Sequence, residues 1–96
     1  MHVIAKSTLV QFWKSHADAR EPLIAWHSIC EKANFENFAQ LKQTFRLVDK
    51  VGKFVVFNIS GNKYRLVAIV HFKYRKIYIR SVLSHKEYDK EHWKIE

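Results

Sequence analysis

The chain has 96 residues, enough for a single domain over residues 1–96 with one modest core. It is 48% hydrophobic and 15% aromatic, which excludes intrinsic disorder, and no apolar run approaches the roughly 20 residues that cross a bilayer. The formal net charge of +8 calls for a polyanionic partner.

The opening Met1-His2-Val3-Ile4-Ala5-Lys6 lacks the charged start and long apolar stretch of a signal peptide, so a cytoplasmic protein is expected. Residues 3–5 form a short apolar run suited to an edge strand. Ser7 or Thr8 is placed to cap a helix carrying Leu9, Phe12, Trp13 and His16 on one side. Asp18-Ala-Arg-Glu21 has capping-box spacing, and Pro22 suits a first helical turn. Leu23, Trp26, Ile29, Cys30 and Ala33 then predict a second amphipathic helix. Cys30 is the only cysteine. It cannot form an internal disulfide, and its setting is that of a small buried hydrophobe rather than a reactive thiol. Residues 35–47 read as a short helix or turn, with Phe38, Leu41 and Phe45 inward.

At Gly52 the pattern changes. Residues 53–59 are β-branched and aromatic, hence a strand. Ser60-Gly61-Asn62 is a turn in which Gly61 or Asn62 takes positive φ. Residues 63–71 form a second strand, whose unbroken apolar middle predicts a central position covered on both faces. Lys73-Tyr-Arg-Lys76 is a second turn, residues 77–83 a third strand, and Ser84 to Asp89 leaves the sheet in a helical turn. Helices followed by a meander predict an α+β fold, with N-terminal helices packed on one face of a small twisted antiparallel β-sheet. The other face, or its rim, is left to the cations.

Those cations are unevenly spread. From Lys50 to Lys86 there is no Asp or Glu, yet the stretch holds nine Lys and Arg. A coherent positive field with interleaved aromatics suits nucleic acid better than an inert solvated surface. Strand alternation groups Lys63 with Arg65 on one face, and an antiparallel neighbour brings Arg80 toward them. His85 and Tyr88 follow three residues apart, one helical turn. Arg65, Arg80, His85 and Tyr88 are thus candidates to surround one phosphate. RNA supplies its own 2′-hydroxyl nucleophile. The protein must accept that proton, stabilise an anionic phosphorane and protonate the leaving 5′ oxygen. Histidine, with an unperturbed pKa of about 6.5, suits either proton role, and arginine matches phosphate oxygens with a fixed fork. Tyrosine can stack under a base or donate a proton. The six histidines show no zinc-ligand spacing, and the basic tract offers no carboxylate for magnesium, so no metal and no cofactor is expected. On charge alone, a non-catalytic RNA- or ribosome-binding regulatory module explains the same cations without needing His85.

Two tracts carry more than charge. Val55-Val-Phe-Asn-Ile-Ser-Gly-Asn-Lys-Tyr-Arg-Leu-Val67 and Tyr78-Ile-Arg-Ser-Val-Leu-Ser-His-Lys-Glu-Tyr-Asp-Lys90 resemble the signature of the HigB family of type II toxins, and Ala25-Trp26 and Leu41-Lys42 fit it too. Ser84 stands where that family usually has Thr, which keeps the hydroxyl. The resemblance implies a RelE-like fold and an mRNA endoribonuclease, in many members acting on mRNA in the ribosomal A site. It also implies a HigA-type helix-turn-helix antitoxin, through which alone the complex would meet promoter DNA. By motif, Arg65 would hold the scissile phosphate, while His85 and Tyr88 would serve proton transfer and base stacking. Asn62 and Arg80 would touch substrate, and Lys53, Lys63 and Lys86 complete the expected RNA contacts.

Overall fold

The computed structural model describes residues 1–94. Its strands are β1 (His2–Ile4), β2 (Asp49–Val51), β3 (Phe54–Ile59), β4 (Tyr64–His71) and β5 (Lys76–Ser84); its helices are α1 (Lys6–Ser15), α2 (Arg20–Lys32), α3 (Phe38–Thr44) and α4 (His85–Asp89). The strands make one five-stranded sheet in the order β1-β5-β4-β3-β2. The α+β class is as expected, but the sheet is mixed. β1 returns beside β5 in parallel, as a βαβ-like crossover permits, while the remaining pairs are antiparallel. β2 has no counterpart in the sequence reading: its Asp49-Lys50-Val51 is too polar and short to look like a strand, and pairing with β3 creates it.

Alternation sorts the central strands into two faces. Tyr64, Leu66 and Ala68 of β4, with Ile77, Ile79 and Val82 of β5, join Leu9, Leu23, Trp26, Cys30 and Leu41 in the main core under the helices. Trp26 meets Phe57 edge to face at 5.3 Å, and burying such a ring contributes about 3 kcal/mol at most. On the opposite face Phe54, Val56 and Val67 form a smaller cluster with Trp93, which arrives on a 3-10 turn at His92–Lys94. This cover accounts for the apolar run in β4. It also separates the two places expected for the cations: they line the rim of the second face, and the C-terminal segment occupies its middle.

Local corrections follow from side chains having better partners elsewhere. α1 starts at Lys6 after a left-handed Ala5, and neither Ser7 nor Thr8 caps it. Asp18 makes no capping box. It lies in a 3-10 turn (Ala17–Ala19), and its carboxylate accepts from the Tyr64 hydroxyl at 2.6 Å and pairs with the Lys63 ammonium. Ile29 lies off the buried stripe of α2, 42% exposed. The hairpin turn after β3 places positive φ at Ser60 and Gly61 rather than at Asn62.

Candidate active site

The turn after β3 and the start of α4 meet at one end of the central hairpin. Arg65 is the second residue of β4, and its alternation puts it on the face away from the helices. Its guanidinium donates from Nη1 to the carbonyls of Asn62 (3.0 Å) and Tyr64 (3.2 Å), and from Nη2 to Asn62 Oδ1 (3.1 Å). The same guanidinium sits over the Tyr88 ring, 5.5 Å from its centroid. Asn62 and Arg65 therefore form one rigid unit, oriented by the turn behind it.

α4 is fixed in two ways. Ser84 caps it in a reciprocal box: Ser84 Oγ accepts from the Glu87 amide, and Glu87 Oε1 accepts from the Ser84 amide at 3.0 Å. Those bonds hold the Glu87 carboxyl below its usual range. The His85 amide then donates to the Lys63 carbonyl at 3.2 Å, tying the helix to the turn that carries Asn62. His85 Nδ1 lies 3.1 Å from Asp89 Oδ2, one helical turn on. With a proton on Nδ1 for that carboxylate, Nε2 is left to accept or deliver another. Asp89 was missed from sequence, although its four-residue spacing from His85 was a usable signal. Tyr88 stacks on Trp93 at 4.9 Å, and Trp93 Nε1 donates to the Tyr88 carbonyl at 2.9 Å.

Other expected neighbours lie elsewhere. Lys63 precedes β4 rather than belonging to it, so alternation does not carry it to the Arg65 face; its ammonium goes to Asp18 on the helix side. That carboxylate raises the titration of both Lys63 and Tyr64. Arg80 is not beside Arg65, whose cross-strand partner is Leu83. β5 bulges at Arg80: Val67 pairs with Ser81 and Ala68 with Ile79, leaving Arg80 without an opposite number in the ladder. Its guanidinium lies 5.8 Å from the Phe54 centroid, and the Lys53 ammonium is 5.5 Å from the same ring. Phe54 meets Trp93 edge to face at 5.7 Å. Arg65 and Arg80 thus stand at opposite ends of a Tyr88–Trp93–Phe54 aromatic array. Lys86 is exposed on α4. A cleft of about 500 Å³ opens between β5 and the C-terminal segment, lined by Arg80, Ser81, Leu83, Lys90 and Trp93 among others. Neither Arg65 nor His85 lines it; they sit at its shoulder, beyond Leu83. Among the described residues no three His, Cys, Asp or Glu side chains converge as a metal site.

Comparison with known proteins agrees with this architecture. A family described as the RelE-like toxic component of a toxin–antitoxin system matches residues 19–91, a span that includes the hairpin, α4 and most of the helical layer. The class is therefore that of small RelE-like toxins. The mRNA interferase toxin HigB of Escherichia coli strain K12 is 36% identical over 92 residues, which are 93% of this chain and 88% of that protein. The mRNA interferase HigB of Shigella flexneri has the same identity and coverage. The mRNA interferase HigB of Escherichia coli O6:H1 is 22% identical over 93 residues, 94% of this chain and 90% of its own length. The chain belongs to the HigB toxin family.

Proposed function

We propose that this chain is an mRNA interferase, an endoribonuclease that breaks mRNA by attack of the 2′-hydroxyl on the adjacent phosphorus and needs no metal ion. The supporting observation is that Asn62, Arg65 and Tyr88 meet at one end of the central hairpin, and that the backbone of His85 is bonded to the turn carrying Asn62. Relatives with 36% identity carry the name mRNA interferase, which supports the same reading. Arg65 holds the scissile phosphate and offsets the charge of the phosphorane. His85, oriented by Asp89, handles one proton of the reaction through Nε2. Tyr88 has Trp93 stacked on its ring and Arg65 over it, so its hydroxyl, more than an open ring face, is what it offers the substrate. Lys53, Lys63, Arg80 and Lys86 supply field to the RNA backbone.

The substrate is mRNA held on the ribosome in the cytoplasm. A HigA-type helix-turn-helix antitoxin silences the toxin, and promoter DNA is met only through that complex. No helix of the described residues is long and apolar enough to cross a membrane. The test is induction in a bacterial host, with cleavage ends mapped on mRNA in the presence and absence of ribosomes. Wild type should arrest growth and leave 2′,3′-cyclic phosphate and 5′-hydroxyl ends. His85→Ala and Arg65→Ala should do neither. RNA binding without cut ends in wild type would instead make the chain a non-catalytic RNA-binding regulator.

A further inference from the structure

The far end of the sheet carries a second cationic and aromatic surface. Main-core Val3 and Ile77 point to the helices, so His2, Lys76 and Tyr78 point the other way. His2 pairs with Lys76, and Lys76 with His71, which places the three side by side across β1, β5 and β4. The next row holds Tyr78 opposite Ile69, and the His71 and Tyr78 rings meet edge to face at 5.3 Å. The turn joining β4 to β5 adds Lys73, Tyr74 and Arg75, all exposed; Tyr74 is 65% and Tyr78 37% exposed.

Three features of this surface need an occupant. No acidic residue occurs anywhere between Lys50 and Lys86. Among the described residues Lys73, Arg75 and Lys76 have no carboxylate partner, in contrast to Lys63. Two large aromatics stand beside them: Tyr74, largely open to water with the Lys73 ammonium 5.6 Å from its centroid, and Tyr78, partly covered by His71. Cations that follow a backbone, alternating with rings on which bases stack, are the chemistry of single-strand binding. Single-stranded nucleic acid uses the charges and the exposed tyrosines together. The surface lies on the same side of the sheet as Arg65. β4 has eight residues, which separates the two ends by roughly 23 Å at about 3.3 Å per residue.

We infer that the β4–β5 turn, with His71, Lys76 and Tyr78, is a distal binding surface for the single-stranded RNA that runs away from the Arg65 corner. The inference deepens the proposed function, since the strand held here is the one cut there. It assigns Lys73, Arg75 and Lys76 to phosphates and Tyr74 and Tyr78 to unpaired bases.

The experiment measures binding, so that it does not depend on cleavage. Uncleavable 2′-O-methylated single-stranded RNAs of about 4 and about 16 nucleotides span the usual range of site sizes. They are titrated against wild type and a Lys73→Ala/Arg75→Asn/Lys76→Gln variant at several salt concentrations. Asn suits position 75 because Arg75 has a positive φ of 57. The long RNA should bind the variant on the order of tenfold more weakly at low salt, and the slope of log affinity on log salt should fall by about 2, at about 0.7 per phosphate contact. The short RNA should bind both proteins equally. Tyr74→Ala should weaken only the long RNA, with little change in salt slope. Equal affinities for the long RNA overturn the inference. So does equal weakening of both lengths, which would report the general field or a folding defect. Retained RNA binding with lost capture of the antitoxin would assign the surface to a protein. If wild type binds RNA in this length-dependent way but never cuts it, the proposed function falls and the distal surface stands.

Discussion

The guanidinium carbon of Arg65 lies 5.5 Å from the centre of the Tyr88 ring, joining the second residue of β4 to a helix that follows β5. Such a contact contributes about 0.5–1 kcal/mol where it is open to solvent, so its value is more in placement than in stability. It holds the fork of Arg65 from one side while Asn62 holds it from the other. The prediction separates ring from hydroxyl. Tyr88→Phe keeps the stack on Trp93 and the place for Arg65, so RNA affinity should be nearly unchanged while the cleavage rate falls. Tyr88→Ala should also loosen Arg65. Arg65→Ala should reduce cleavage by about 10²- to 10³-fold, the usual value of a preorganised charge-stabilising donor. Arg65→Lys should recover little, because a lysine cannot make the paired bonds to the Asn62 carbonyl and Oδ1. Single-turnover cleavage and filter binding of the four variants read both quantities.

Asp89 is predicted to be a positioning residue. His85 and Asp89 are both more than half exposed, at 52% and 62%, so their pairing contributes little to stability. Its consequence is the orientation of the imidazole. Asp89→Asn should leave the melting temperature within a degree or so of wild type. The cleavage rate should drop on the order of tenfold, less than the roughly 10²- to 10⁴-fold that a proton-transfer group is itself worth. His85→Ala should then be no worse in the Asp89→Asn background than alone. Additive losses in that double mutant would show that Asp89 acts separately from His85.

Trp93 carries the second face of the sheet. It is 6% exposed, stacked on Tyr88 and set edge to face on Phe54, and its indole N–H is bonded to the Tyr88 carbonyl. Trp93→Ala should destabilise the fold by about 3–5 kcal/mol, the usual range for emptying a buried aromatic site. Trp93→Phe should restore most of that. Urea unfolding measures the difference. Because Tyr88 rests on this ring, the Ala variant should lose activity below its own unfolding midpoint as well.

These relationships mark how far the sequence was legible. The helices, the central meander and the α4 turn follow from periodicity and turn residues, because each is decided by its own neighbours. β2 was hidden because its three residues become a strand only by pairing with β3. The parallel placement of β1 depends on the path of α1 and α2, which no local pattern encodes. Within the site, the one-turn spacing of His85 and Tyr88 and the strand position of Arg65 could be read directly. The position of Arg80 could not: it sits in a β5 bulge level with Val67 and Ala68 of β4, away from the Arg65–Leu83 pair, and its guanidinium lies by Phe54. The capping-box pattern at Asp18–Glu21 does not form, whereas the one at Ser84–Glu87 does. Asp18 has a stronger alternative in Lys63 and Tyr64, which sequence spacing alone cannot weigh.

That alternative yields a pH prediction. The Lys63 ammonium first, and then the Tyr64 hydroxyl, hold the Asp18 carboxyl below its ordinary value of 3.8. A carboxylate whose titration is lowered by folding stabilises the fold above its unfolded value, and the effect is lost as pH falls through the folded one. Lys63 and Tyr64 are raised from 10.5 and 10.0 by the same carboxylate, so their share is complete below those values and is lost as pH rises through the folded ones. The network should therefore be fully effective from about pH 5 to about pH 9. It ties the 3-10 turn after α1 to the turn carrying Asn62. Asp18→Asn should lower the urea midpoint modestly across that window, because the Lys63 and Asp18 charges are exposed and screened even though Tyr64 is buried. The gap from wild type should narrow once pH falls below 3.8 and close as it passes through the lower folded value, where both proteins carry a neutral side chain at position 18. High salt should narrow it at neutral pH. A gap that is constant from neutral to acid pH would mean that residue 18 acts by packing and not by charge.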